Sequence, residues 1–103
     1  MSWKASLPRV VRELRIHLCQ TSPSSQGARD FVTKQYAELK QAHPTLPILV
    51  REAAGIEPRV YARYAFGQEA KADLSNLTSQ QVLDSIQGLY QHGEKLATQA
   101  KAN

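Results

Sequence analysis

A chain of 103 residues, 42% of them hydrophobic and 21% charged, suits one domain with a modest core and argues against two domains or a largely disordered chain. The longest apolar run, Ile48-Leu49-Val50, falls far short of the roughly 18 residues of a membrane-crossing helix. A net charge of +4 favours an acidic partner, but the 13 basic residues are scattered, and without a Lys/Arg block they read as a solvated surface rather than a nucleic-acid interface. The single cysteine excludes an intrachain disulfide and, unaided, a cysteine-based metal site.

Residues 1–11 form a basic segment in which Trp3, Leu7, Val10 and Val11 recur at helical spacing around Lys4 and Arg9. This pattern reads either as a very short mitochondrial targeting segment or as a frayed basic N-terminus, and Pro8 interrupts it. No apolar core of a secretory signal is present. Residues 12–97 are expected to form the domain proper, and the small, polar residues 98–103 a frayed tail.

From Glu13 to Cys19 the chain alternates, with Leu14, Ile16 and Leu18 on one face and Glu13, Arg15 and His17 on the other, the period of a strand covered on one side. His17 reads as a surface histidine, because His43 and His92 fall in other elements at no metal-binding spacing. Ser22-Pro23 offers a helix N-cap and first-turn proline, with Ser24 or Ser25 as later starts. An amphipathic helix of about 18 residues follows, burying Ala28, Phe31, Val32, Tyr36 and Leu39 and closing at His43-Pro44.

The run Pro47–Glu52 predicts a second strand, buried on both faces and paired parallel to the first through a crossover helix. The connection Ala53–Pro58 is too short for another crossover, so the third strand, Arg59–Phe66, should run antiparallel. Its two faces separate Val60, Ala62, Tyr64 and Phe66 from Arg59, Tyr61, Arg63 and Ala65. After a turn at Gly67-Gln68, Lys71–Leu74 predicts a short fourth strand. The last helix is announced by a capping box between Thr78 and Gln81 and a hydrophobic staple between Leu77 and Val82. Val82, Ile86, Leu89, Tyr90 and Ala97 then mark its buried face, and Gly88 and Gly93 weaken its middle.

The order β-α-β-β-(β)-α, with a thiol after strand one, defines an α/β class: a reduced thioredoxin-like fold with a mixed sheet and helices mainly on one side. Cys19-Gln20-Thr21-Ser22 has the spacing of a one-thiol variant of a Cys-x-x-Cys motif, and a helix N-terminus beside it would favour thiolate. Pro58 falls where that fold keeps a cis proline, and is equally readable as a trans turn residue. With no second cysteine a self-contained dithiol cycle is impossible, and no phosphate loop, metal pair or Ser/His/Asp arrangement is recognisable. No catalytic residue, cofactor or metal is therefore expected.

Four blocks carry a resemblance: Arg12–Gln20; Ser25-Gln26-Gly27 with Arg29-Asp30-Phe31; Leu46–Glu52; and Ala62-Arg63-Tyr64-Ala65-Phe66-Gly67-Gln68-Glu69. Together they resemble the thioredoxin-like accessory subunit of mitochondrial respiratory complex I, the eight-kilodalton B subunit family, which shares its domain with some mitochondrial ribosomal proteins. The resemblance implies a non-catalytic, cofactor-free subunit on the matrix side of the inner membrane, docked near the NADH-oxidising module on other complex I subunits, above all the large iron–sulfur subunit. It also implies that Cys19 is a vestigial thiol, because the second cysteine of some members corresponds to Ala53 here. An RNA-contacting ribosomal scaffold is the alternative, followed by a monothiol redox protein. Arg15, His17, Arg51, Arg59, Tyr61 and Arg63 are the candidate interface residues, since Tyr and Arg are suited to buried docking surfaces.

Overall fold

The alternation at residues 13–18 forms β1 (Glu13–Leu18), with Leu14, Ile16 and Leu18 buried and the residues between them half-exposed. The computed structural model describes residues 3–102, with residues 98–102 described by backbone alone. Strands β2 (Ile48–Glu52), β3 (Arg59–Arg63) and β4 (Glu69–Asp73) complete a four-stranded sheet in the order β2-β1-β3-β4. Strand β2 runs parallel to β1 with Leu14 opposite Ile48, whereas β3 runs antiparallel to β1 with Arg15 opposite Tyr61. Strand β4 is antiparallel to β3, and the mixed sheet and its fold class agree with expectation.

The helices are α1 (Trp3–Val10), α2 (Gln26–Lys34), α3 (Tyr36–Ala42) and α4 (Ser79–Ala102). They cover one face of the sheet, where Phe31, Val82 and Ile86 join Leu14, Ile16 and Val60 in a single core. The start of α4 forms as its sequence dictates. The Thr78 N–H donates to Gln81 Oε1 at 2.9 Å, the Gln81 N–H donates to Thr78 Oγ1 at 3.2 Å, and Leu77 packs on the core beside Val82.

Two glycines allow the helices to approach. A Cβ on Gly27 would lie 1.7 Å from the Leu77 carbonyl oxygen, so α2 can meet the α4 entry only with glycine there. A Cβ on Gly93 would lie 2.4 Å from Val10 Cγ1 and 2.6 Å from Tyr64 Cε1. The residue that lowers helix propensity in α4 is the one that seats α1 and Tyr64 against it.

Several expectations are corrected. The N-terminal segment is a helix with Leu7 fully buried rather than a frayed end, and positions 1 and 2 lie outside the described residues. Pro8 has no N–H to donate to Lys4 O four residues earlier, and the His43 ring supplies the missing bond, its Nε2 donating to that oxygen at 2.6 Å. The long first helix is interrupted at Gln35 (φ −119°), following a turn in which Thr33 Oγ1 bonds back to Arg29 O, an arrangement that bends helices.

Strand β2 is not buried on both faces: as an edge strand with nothing over its second face, it leaves Leu49 39% exposed. Strand β3 ends at Arg63, because residues 65–67 tighten into a 3-10 turn, and Phe66, expected in the core, is 94% exposed. Tyr64 is buried as expected, and its hydroxyl donates to Leu89 O at 2.6 Å. Ala97 is exposed, and α4 carries the backbone of the expected tail through Ala102, while position 103 lies outside the described residues.

Candidate docking face and thiol junction

Because the helices occupy one face, the alternate side chains of all four strands are left on the other. Cross-strand register arranges them in rows. One row is Arg51, His17, Arg59 and Asp73; the next is Leu49, Arg15, Tyr61 and Lys71; a third is Glu13, Arg63 and Glu69. All six interface candidates therefore come together on one surface, although they derive from three strands. Sequence reasoning missed Leu49 as a member, since its neighbours Ile48 and Val50 disguise it as part of a two-sided buried run.

The surface is ordered by its own contacts. Arg15 Cζ lies 5.3 Å from the centroid of the Tyr61 ring on one side, and the His17 ring is 4.9 Å from it on another. Arg15 Nη2 also donates to Glu69 Oε1 at 2.7 Å, while Glu13 lies within 3.7 Å of both Arg15 and Arg63. Arg59 is held by Glu57 at 2.7 Å, and hydrogen bonding to Tyr61 and then to Glu57 raises its guanidinium pKa. Arg51 has no ion-pair partner among the described residues. Partial burial, followed by the charges of Arg15, Arg51 and Arg59, pushes the His17 pKa below its usual value, which favours the neutral imidazole.

At the end of β1 the chain folds into a tight junction around Cys19, which is only 3% exposed. Its backbone N–H donates to the buried Ser25 Oγ at 3.1 Å, diverting that hydroxyl from capping α2. Arg29 Nη1 donates to the carbonyls of Cys19 and Ser22, both at 2.8 Å, and so closes the Cys19–Ser22 loop from the helix side. Ser25 and Arg29 are organising residues that helical periodicity alone does not single out.

The thiol accepts a hydrogen bond from the Gly55 N–H at 3.3 Å and lies 3.7 Å from Thr21 Oγ1. Hydrogen bonds from the backbone N–H of Thr21 first, then of Gly55 and Ser22, with help from the Thr21 hydroxyl, lower its pKa to about 6 against the opposing effect of desolvation. The segment after β2 thus closes over the thiol, with the Ala53 N–H donating to Leu18 O at 3.2 Å. The peptide bond before Pro58 is trans. No cluster of three or more His, Cys, Asp or Glu is placed to hold a metal among the described residues.

A four-stranded mixed sheet covered on one side, with a lone thiol at the end of β1, defines a thioredoxin-like α/β domain whose distinguishing surface is an open sheet face rather than a cleft. The family model for the mitochondrial ribosomal protein L51/S25/CI-B8 domain matches residues 28–79. The chain belongs to this family. It is 53% identical over 79 residues to mouse (Mus musculus) NADH dehydrogenase (ubiquinone) 1 alpha subcomplex subunit 2, an alignment covering 77% of this chain and 80% of the mouse protein. It is 44% identical to the Arabidopsis thaliana protein of the same name, over 90% of this chain and 96% of that one. It is also 36% identical to the Neurospora crassa NADH-ubiquinone oxidoreductase 10.5 kDa subunit, over 86% and 95% of the two chains.

Proposed function

We propose that this chain is a mitochondrial, non-catalytic accessory subunit of NADH:ubiquinone oxidoreductase, held on the matrix arm by its open sheet face. The named relatives support membership of that complex. The observation that carries the docking role is the ordered Arg15–Tyr61–His17 cluster at the middle of an uncovered sheet. An aromatic ring already held by its neighbours loses little conformational freedom on being covered, which suits it to anchor an interface. Exposed Leu49 adds apolar area beside it, and Arg51, which has no ion-pair partner among the described residues, adds a charge for an acidic or carbonyl-rich surface. The large iron–sulfur subunit, near the NADH-oxidising module, is the partner that fits this reading.

The cations of the face are mostly neutralised within it: Arg15 by Glu69, Arg63 by Glu13, and Arg59 by Glu57. Few remain to release counterions from RNA, so a protein partner is favoured over a ribosomal-RNA one. The buried thiol has no resolving cysteine in the chain, and this leaves it a structural role at the junction.

The test is the paired charge reversal Arg59→Glu with Arg63→Glu, expressed in cells that lack their own copy. The ion pairs lost are exposed and screened by solvent, so the fold should be retained by circular dichroism. The variant should fail to co-migrate with the respiratory complex on a native gel. Wild-type co-migration of the folded variant would refute the placement.

A further inference from the structure

At the end of the sheet opposite Cys19, the loop between β3 and β4 holds an aromatic residue where the backbone disfavours one. Phe66 has φ 63° and ψ 26°, the left-handed region that bulky side chains avoid, and Gly67 follows it at φ 74°. The Tyr64 N–H closes the loop on Gln68 O at 2.7 Å, which fixes Phe66 at its tip. Its side chain is 94% exposed, so no packing within the chain compensates for the strained backbone.

Beside this residue runs a groove of about 360 Å³ between the end of α1 and the C-terminal half of α4. Val10, Tyr64, Leu96 and Phe66 supply its apolar lining. Arg9 and Arg12 stand on it, and no acidic residue lines it among the described residues. Neither arginine has an ion-pair partner among the described residues, in contrast to the largely neutralised sheet face.

We propose that this corner is a second docking site, in which Phe66 and the adjoining groove grip a segment of a partner protein that carries an apolar side chain flanked by carboxylates. The groove receives that side chain, Phe66 covers it, and Arg9 and Arg12 meet the carboxylates. Charge complementarity selects this occupant: cations without an ion-pair partner among the described residues suit acids supplied from outside. A strained, exposed aromatic and an apolar groove side by side form a matched pair of projection and depression, the arrangement of an interface anchor. The site lies off the open sheet face and does not depend on that face being an interface.

The test places the photo-crosslinker in the full chain as Phe66→benzoylphenylalanine and irradiates intact mitochondria. The expected product joins the chain to a different polypeptide, at an apolar segment with Asp or Glu within a few residues. The combined change Arg9→Glu with Arg12→Glu should lower its yield by at least about tenfold. Products only with a second copy of this chain, with lipid, or with a segment lacking acids overturn the proposal, as does a yield unaffected by the charge reversal.

A companion variant, Phe66→Asn, separates docking from folding. Asparagine tolerates the left-handed backbone, so the isolated variant should melt at or above the wild-type temperature while its retention in the native assembly falls. Wild-type retention, or a lowered melting temperature that accounts for the loss, overturns the proposal. The crosslink identifies the partner whatever assembly the chain joins, so this site and the sheet-face reading stand or fall separately.

Discussion

Replacing Gly27 by alanine sets two opposing effects against each other. In a helix interior the change ordinarily stabilises by up to about 1 kcal/mol, because alanine loses less backbone entropy on folding. Here the new methyl would lie 1.7 Å from Leu77 O, 2.6 Å from Leu77 C and 3.1 Å from Thr78 C. All three are backbone atoms at the α4 entry and none can rotate away. Restoring ordinary contact requires α2 to withdraw by roughly 2 Å, since non-bonded heavy atoms pack at about 3.5–4 Å.

That movement strains the Asn76 N–H to Ser24 O bond (2.9 Å) and loosens the staple and capping box beside it. Overpacking costs about 1–3 kcal/mol and the hydrogen bond about 1 more, which outweighs the propensity gain and leaves a net loss of roughly 1–3 kcal/mol. At about 4–8 °C per kcal/mol for a domain of this size, the melting temperature should fall by roughly 4–24 °C. Gly88→Ala is the control, since nothing lies within 4 Å of its added methyl. It should raise the melting temperature by up to about 4–8 °C. Thermal and urea unfolding followed by far-ultraviolet circular dichroism measure both. A Gly27→Ala protein that melts at or above the wild type would refute the argument that the α2–α4 approach demands glycine.

Thr78→Ala removes one arm of the capping box and should destabilise by about 1 kcal/mol, read from urea midpoints at unchanged slope. A loss below a few tenths would mean that Gln81 and the staple hold the α4 entry without it. Cys19→Ser should flatten the pH dependence of stability. The thiol pKa is lowered from 9.0 to about 6 on folding, so over that range the unfolded state binds more protons and stability rises with pH. This contribution is fully present above about pH 9 and is lost as pH falls through about 6. Identical stability–pH curves for the two proteins would show that the folded thiol is not held as thiolate.

Local signals made most of the fold legible. Strand β1, the α4 entry and the order of elements are each written in contiguous residues, as alternation, capping chemistry and hydrophobic spacing. What escaped depends on partners distant in sequence. Helix α1 looked broken at Pro8 because the group that satisfies the freed Lys4 carbonyl is His43, in another element. Leu49 looked buried because sheet order, and hence the edge position of β2, is not a local property. Phe66 continued an alternating pattern, and only the closure of residues 64–68 into a turn reverses its direction.

The docking face was legible as residues but not as an arrangement. Alternation placed Arg15 and His17 on one side of β1, and Arg59, Tyr61 and Arg63 on one side of β3. Register then decided that Arg15 would meet Tyr61. The thiol junction was legible as a position, whereas Gly55, Ser25 and Arg29, which build it, are brought there by tertiary packing.

The sheet also ends unequally at its two outer strands. On β4, Glu69, Lys71 and Asp73 place charges along the border, which discourages pairing with another chain. On β2 the border is the apolar stretch Ile48-Leu49-Val50, bounded by Pro47 before it and by Arg51 and Glu52 after it. A proline and two charges restrict any intruding strand to three residues, too short a ladder to hold alone. The sheet thus has a guarded border on one side and a narrow opening on the other, one too short for a second chain to extend stably.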